Sequence, residues 1–166
     1  MIDLLLQLKK SNVDFSFTFI GIGGYESFIK SQVIDYGLQN LVLFKGSVDR
    51  SDLQKILLEQ DIYVSCSEFE GHSVAQCEAM ACGCVPVVFD VSGSEDDVFN
   101  GFNGYVIEIG DLDSMVDAIK FLNSNRDILK CYGKRCIEII QDRNKKENTL
   151  VTVQKEFMER YQIKQA

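Results

Sequence analysis

Two glutamates lie on either side of a predicted helix start. Glu70 and Glu78 have seven residues between them. Ser73 followed three places later by Gln76 forms a capping box, so residues 74–82 are predicted to be helix. A helix start presents unpaired backbone N–H groups and a partial positive charge, which together suit a diphosphate. Because a helix rises about 1.5 Å per residue, Glu78 lies roughly 7 Å beyond Ser73, an offset that suits a ribose attached to the diphosphate.

The same pattern also has an ordinary structural interpretation. A capped helix after a strand is common in α/β proteins, and two glutamates at this interval occur by chance in acidic helical chains. The residues alone therefore leave a ligand site and a purely structural helix both open.

Composition predicts one soluble domain. Of the 166 residues, 46% are hydrophobic and 25% are charged. We expect a single domain over residues 1–166, with an α/β core over 1–125 and C-terminal helices over 126–166. No apolar run approaches the roughly 20 residues of a membrane helix, and Lys9 and Lys10 follow the first apolar stretch, unlike a signal peptide. These features predict a cytoplasmic protein, and a net charge of −8 argues against nucleic acid as a partner.

Cysteine and histidine spacing argues against a metal site. The six cysteines are scattered, no Cys-x2-Cys pair occurs, and His72 is the only histidine. We expect reduced, buried thiols and no metal or other cofactor.

Short apolar runs alternate with helical patterns along the chain. Such alternation predicts a Rossmann-like parallel sheet with helices on both faces, buried strands, and ligands at the carboxyl ends of the strands. After about residue 111 only helices are expected, two of them over residues 128–140 and 150–161. The predicted strands are residues 15–20, 41–44, 62–65, 85–89 and 105–107.

Several segments in order carry a recognisable pattern. They are Phe19-Ile-Gly-Ile-Gly-Gly24, Cys66-Ser-Glu-Phe-Glu-Gly71, Glu78-Ala-Met-Ala-Cys-Gly83 followed by Val85-Pro-Val-Val88, and Gly93-Ser-Glu95 through Asn100-Gly-Phe-Asn-Gly104. Together they resemble glycosyltransferase family 4, the group 1 family of retaining GT-B enzymes, over roughly residues 14–125. The chain resembles the C-terminal, donor-binding half of that fold.

The resemblance implies roles for individual residues. Glu78 would accept hydrogen bonds from the ribose hydroxyls, and Glu70 would face the transferred sugar as the candidate catalytic residue. The backbone N–H groups of Gly71, His72, Ser73 and Val74 would bind the diphosphate, with the Ser73 hydroxyl partly occupied as a cap. Val48, Gly21 and Gly23 are three further candidates for donor binding. A tight turn after a strand would also explain the two glycines.

The resemblance also implies an activity and a partner. It implies transfer of a sugar from a nucleotide-diphosphate sugar to a glycan or lipid-linked acceptor in cell-surface polysaccharide synthesis. The N-terminal acceptor-binding domain of such enzymes is absent here, so the chain would be inactive alone and would need that domain or a separate subunit. The full enzyme would bind the inner face of the membrane peripherally. Two alternatives are a non-catalytic nucleotide-binding or assembly module and a nucleotide-sugar 2-epimerase-like protein.

Overall fold

The architecture alternates strands and helices up to residue 107 and is helical afterwards. The computed structural model describes residues 1–71, 73–93 and 96–160, with side chains described as far as residue 145. The elements are α1 (Ile2–Lys10), β1 (Phe17–Phe19), α2 (Glu26–Asp35), β2 (Val42–Phe44), α3 (Arg50–Leu58), β3 (Ile62–Ser65), α4 (Val74–Ala81), β4 (Val85–Phe89), β5 (Tyr105–Ile107), α5 (Leu112–Ser124) and α6 (Arg126–Arg160).

All strand pairs in the described residues are parallel, as the alternating pattern predicts. β1 pairs with β2, placing Phe17 opposite Val42. β4 lies between β3 and β5, with Val87 opposite Val64 on one side and Tyr105 on the other. The first two strands are shorter than predicted, whereas β3, β4 and β5 have the expected bounds.

The described strands form two sheets rather than the single expected sheet. The order is β1-β2 in one and β3-β4-β5 in the other, and no described strand joins β1 to β3. The expectation that every strand is buried is therefore wrong: β4 is buried along its length, but β1 and β3 are only half-buried. A strand without a neighbour on one side leaves that edge open to solvent.

Helices cover both faces of the larger sheet. On one face α1 and α5 pack against Ile62 and Val64 through buried side chains that include Leu4 and Met115. On the other face α3 and α4 pack against Tyr63 and Cys84 through Leu57 and Ala79. The main core is thus shared by the N-terminal helix and the helices after β5.

Caps define where these helices begin and end, and the one at Ser73 is the predicted cap. The Ser73 hydroxyl accepts a hydrogen bond from the Gln76 N–H at 3.3 Å, and the Asp49 carboxylate accepts one from the Asp52 N–H at 2.8 Å. α4 ends before Gly83, whose φ of +87° is the left-handed conformation that glycine adopts easily.

The C-terminal helices differ from the prediction. One helix, α6, runs from Arg126 to Arg160 in place of two helices over 128–140 and 150–161. Residues 141–149 are polar but contain neither proline nor glycine, and their Gln, Arg, Lys and Glu residues favour helix. No described helix is long and apolar enough to cross a bilayer.

Candidate functional site

The candidate residues lie at the carboxyl ends of β1, β2 and β3. β3 ends at Ser65, and the loop that follows it leads to Ser73, the N-cap of α4. In parallel α/β proteins this edge is where ligands bind. His72 lies outside the described residues.

Glu70, Gly71 and Ser73 are brought together by this loop. They line one small cavity of about 10 Å³, together with Gln76 and residues of the loop after β4. The Glu70 side chain is half-buried and Gly71 is exposed. The loop therefore places a carboxylate beside the amino end of α4, in contact with solvent.

Tyr63 joins this group, although nothing in the sequence pattern sets it apart from other strand residues. Burial raises the pKa of the Tyr63 hydroxyl, and the negative charge of Glu70 raises it further, while a hydrogen bond with the Ser73 side chain lowers it. Tyr63 lines the larger cavity that also contains Ala75 and Glu78 of α4. It adds a neutral hydrogen-bonding group to the site at physiological pH.

The amino end of α4 is open to solvent. Val74, its first helical residue, is 66% exposed, and Ala75 is exposed as well. The first N–H groups of a helix have no partner within the helix, so these amides are available to an anion. The Ser73 hydroxyl already accepts the Gln76 N–H, as the capping box predicts.

Glu78 lies further along α4 and borders two larger cavities. One of about 400 Å³ extends from Glu78 and Ala75 to Phe19 and Ile20 at the end of β1. The other, of about 240 Å³, contains Arg50 of α3 on its wall. The Glu78 side chain is half-buried, so it remains partly open to solvent.

Arg50 is the second functional residue that the sequence analysis missed. It is the first helical residue of α3, directly after the Asp49 cap, and it shares a cavity with Glu78. Its guanidinium supplies a positive charge close to the candidate site. Charged residues are common in the first turn of solvent-exposed helices, so the position of Arg50 in the sequence does not indicate a functional role.

The glycine loop and Val48 lie on the other side of the site. The Gly21 N–H donates to the Gly46 carbonyl at 2.7 Å, which ties the loops after β1 and β2 together. Gly21 has a φ of +111°, and a Cβ added at either Gly21 or Gly23 would meet open space. Val48 is half-buried before the α3 cap. The cavities that contain Glu70 or Glu78 are lined without Gly21, Gly23 or Val48.

Cysteines and carboxylates are the remaining groups in the described part of the chain that could bind a metal or react. No group of three His, Cys, Asp or Glu residues in that part could hold a metal ion. Burial raises the pKa of the Cys84 and Cys136 thiols to about 12, so both are inert at neutral pH. Cys131 is exposed, contrary to the expectation that all thiols are buried.

The fold and the site define a parallel α/β protein with an exposed helix start and a carboxylate at the carboxyl edge of its strands. Residues 1–156 match the sequence model of the family "Glycosyl transferases group 1", and the chain belongs to this family. This confirms the resemblance drawn from the sequence. The chain corresponds to part of the C-terminal domain of GT-B enzymes.

Two curated relatives are similar to the chain. It is 30% identical over 155 residues to a poly(ribitol-phosphate) alpha-N-acetylglucosaminyltransferase of Staphylococcus aureus, covering 90% of this chain and 31% of that enzyme. It is 38% identical over 116 residues to a poly(glycerol-phosphate) alpha-glucosyltransferase of Bacillus subtilis, covering 68% of this chain and 17% of that enzyme. The chain thus spans a third or less of the length of these relatives.

A solved structure has the same fold. A variant of TarM from S. aureus, crystallised with fondaparinux, alpha-GlcNAc-glycerol and UDP, superposes with a TM-score of 0.78 at 29% identity. The match covers 85% of this chain and 29% of that chain. The similarity supports the parallel α/β architecture described above.

Proposed function

We propose that this chain is the donor-binding half of a retaining glycosyltransferase that takes a sugar from a nucleotide-diphosphate sugar. The observation that carries the proposal is the open amino end of α4 with Glu78 on the same helix, bordering a cavity of about 400 Å³. The acceptor would be a glycan or a lipid-linked molecule in cell-surface polysaccharide synthesis. The relatives, which act on poly(ribitol-phosphate) and poly(glycerol-phosphate), support an acceptor of this kind.

The diphosphate would bind the amino end of α4. Gly71 and Val74 are exposed residues whose amides would donate to phosphate oxygens, and the helix dipole favours the negative charge. The Ser73 hydroxyl, at the N-cap of α4, would lie next to this position. A helix start of this kind contributes typically under about 1 kcal/mol at the surface, so we expect weak binding by the chain alone.

The two glutamates would bind the two sugars of the donor. Glu78 would accept hydrogen bonds from both ribose hydroxyls, since an ionised carboxylate has two acceptor oxygens. Glu70 would contact the transferred sugar and stabilise positive charge that develops at its anomeric carbon. Arg50 lies in the cavity with Glu78 and would offset part of the negative charge of the donor. Gly21, Gly23 and Val48 would lie beside the base.

Turnover would require the acceptor-binding part of the enzyme as a partner. The chain covers 31% of the S. aureus relative, so most of that enzyme has no counterpart in residues 1–166. The cytoplasmic location and the peripheral association of the full enzyme with the membrane remain predictions.

Titration calorimetry with UDP tests the nucleotide site, because UDP is the nucleotide in the solved relative. We expect Glu78→Gln to weaken UDP binding about tenfold, since a hydrogen bond to a charged group contributes about 1.5–3 kcal/mol. Glu68→Gln is the matched control, because Glu68 is an exposed glutamate on the loop before α4. We expect it to leave UDP binding unchanged.

Two outcomes would contradict the proposal. If millimolar UDP releases no heat with the unaltered chain, the non-catalytic assembly module is favoured. If Glu78→Gln binds UDP as tightly as the control, the ribose assignment is wrong. A nucleotide-sugar 2-epimerase-like activity would appear as epimerised donor without acceptor in a complete enzyme.

A further inference from the structure

Three polar groups from three elements meet at the first turns of α4. Cys77 lies on α4, Asp97 lies in the loop between β4 and β5, and Arg143 lies on α6. Arg143 Nη1 is 2.5 Å from Asp97 Oδ2 and 3.6 Å from Cys77 Sγ, and Cys77 Sγ is 3.8 Å from Asp97 Oδ2. These three residues form the α4–α6 polar cluster.

The carboxylate of the α4–α6 polar cluster is buried. The Asp97 side chain is 7% exposed, and that of Arg143 is 32% exposed. Burial raises the pKa of the Cys77 thiol and the charge of Asp97 raises it further, whereas the charge of Arg143 lowers it. A buried carboxylate needs a cation or hydrogen-bond donors to compensate for its lost hydration. Arg143 supplies that cation from α6.

The backbone around Asp97 is fixed as well. The Asp97 carbonyl accepts a hydrogen bond from Asn103 Nδ2 at 2.8 Å, and Asn103 Oδ1 accepts one from the Phe99 N–H at 2.7 Å. Asn103 is fully buried, and its carbonyl accepts a hydrogen bond from the Cys136 thiol of α6 at 3.1 Å. The loop is therefore attached to α6 at both Asn103 and Asp97.

Cys77 connects the α4–α6 polar cluster to the start of α4. The Cys77 N–H donates to the Ser73 carbonyl at 3.2 Å, which closes the first turn of the helix. Glu78 is the next residue along the chain. A shift of Cys77 would therefore move both the capped first turn and the carboxylate proposed to bind the ribose.

Asp97 connects the α4–α6 polar cluster to the small cavity at Glu70. Val91 and Ser92, which precede Asp97 in the loop after β4, line that cavity together with Glu70. Arg143 thus joins two elements, each of which carries part of the proposed donor site.

Apolar contacts also hold α6 against α4. Met80 of α4, Val98 of the loop, and Cys136 and Ile140 of α6 form a buried apolar cluster. Replacing a buried ion pair with apolar side chains of similar size often costs no stability, so attachment alone does not require the charged pair. The hydrogen bonds of an ion pair depend on distance and angle, whereas apolar contacts are not directional. The charged pair is therefore suited to fixing the orientation of the elements that it joins.

We propose that Arg143 is a positioning residue for the donor site, acting through Asp97 and Cys77 to fix the start of α4 against the loop after β4. The inference rests on the proposed donor site. With the ion pair intact, the first amides of α4 and the Glu70 loop keep one relative orientation before the nucleotide binds. Binding then loses less free energy to the ordering of these groups.

Amide hydrogen exchange measured by NMR tests the positioning without nucleotide. The test variant is Asp97→Leu, Arg143→Met, which replaces the ion pair with apolar side chains and so should fold. We expect its Cys77 amide to exchange about tenfold faster than in the unaltered chain, while the Val88 amide of β4 stays unchanged, because only the start of α4 is loosened. Arg143→Lys keeps the charge and should retain most of the protection at Cys77.

The matched control is Asp61→Leu, Arg126→Met, which removes an ion pair that is exposed at the surface. We expect it to leave the exchange of the Cys77 and Val88 amides unchanged. Equal acceleration of both amides in the test variant would overturn the inference, because it would show a general loss of stability. Unchanged exchange at Cys77 would overturn it as well.

UDP calorimetry on the same proteins separates this inference from the proposed function. We expect the test variant to bind UDP at least threefold more weakly than the unaltered chain, and the control to bind it equally well. Unchanged UDP affinity together with faster exchange at Cys77 would overturn the positioning role. If the unaltered chain releases no heat with UDP, the nucleotide proposal fails, and the exchange result alone decides whether Arg143 orders the start of α4.

Discussion

The Ser73 hydroxyl has two possible roles, as the cap of α4 and as a contact to a phosphate. Its oxygen accepts the Gln76 N–H at 3.3 Å and so begins α4. A hydroxyl keeps one donor when its oxygen caps a helix, and a hydrogen bond with the Ser73 side chain lowers the pKa of Tyr63 against the effect of burial. Phosphate contacts are therefore expected mainly from the backbone amides of Gly71 and Val74.

The carboxylate caps predict how stability depends on pH. Hydrogen bonds from the Asp52 N–H and the Ser51 hydroxyl lower the pKa of Asp49 below 3.8, and the Ser114 hydroxyl and N–H do the same for Asp111. A lowered folded-state pKa means that this stabilisation is present above pH 3.8 and is lost as the pH falls through the lowered values.

We expect the double variant Asp49→Asn, Asp111→Asn to lose less stability than the unaltered chain between about pH 6 and pH 3. Asparagine caps helices about as well as aspartate but does not titrate, so the variant should fold. Urea denaturation at the two pH values measures the difference. Asp35→Asn, at an exposed position on α2, is the control. An unchanged pH dependence in the double variant would show that the two caps do not contribute.

Helix α6 crosses the end of α4 at two glycines. A Cβ placed on Gly133 would lie 2.5 Å from the Gly83 carbonyl oxygen, which is backbone and cannot rotate away. The close approach requires that residue 133 carry no side chain, because α6 passes directly against the backbone of Gly83. The contact explains why α6 tolerates a glycine in its interior.

Gly133→Ala should therefore destabilise the protein. Helix propensity alone would favour alanine by about 1 kcal/mol, whereas overpacking typically costs about 1–3 kcal/mol. We expect a net loss of up to about 2 kcal/mol in the free energy of unfolding, measured by urea denaturation. Gly24→Ala is the control, since a Cβ at Gly24 would meet open space. Equal or greater stability of Gly133→Ala would contradict the close crossing.

Elements with a strong local signal were predicted well. The run Val85–Phe89 is apolar throughout and bounded by turn residues, and the structure gives it the predicted limits. The start of α4 at Ser73 followed from cap chemistry. The prediction of two separate helices was wrong because the segment 141–149 is polar and lacks an apolar stripe, which is typical of a loop. Its residues nevertheless favour helix, and α6 runs through it.

At the scale of the whole molecule, the site was only partly predictable. Sequence spacing brought Glu70 and Ser73 together because they lie in one loop. Arg50 of α3 and Tyr63 of β3 each line a cavity with Glu78, and such contacts depend on how elements pack, which spacing along the chain does not reveal. The division of the sheet was not predicted for the same reason, since the sequence pattern of a strand does not indicate which other strands pair with it.

The divided sheet also has a consequence for how the native state opens. The described strand hydrogen bonds do not cross from β1 and β2 to the other three strands, so side-chain packing and helices hold the halves together. Segments with separate hydrogen-bond networks tend to unfold as separate cooperative units. We expect amides of Phe17–Phe19 to exchange through a lower-energy opening than amides of Val85–Phe89. Native-state hydrogen exchange at low denaturant measures both, and a shared opening energy would contradict this. A protease added to the native protein should then cut first between residues 13 and 48.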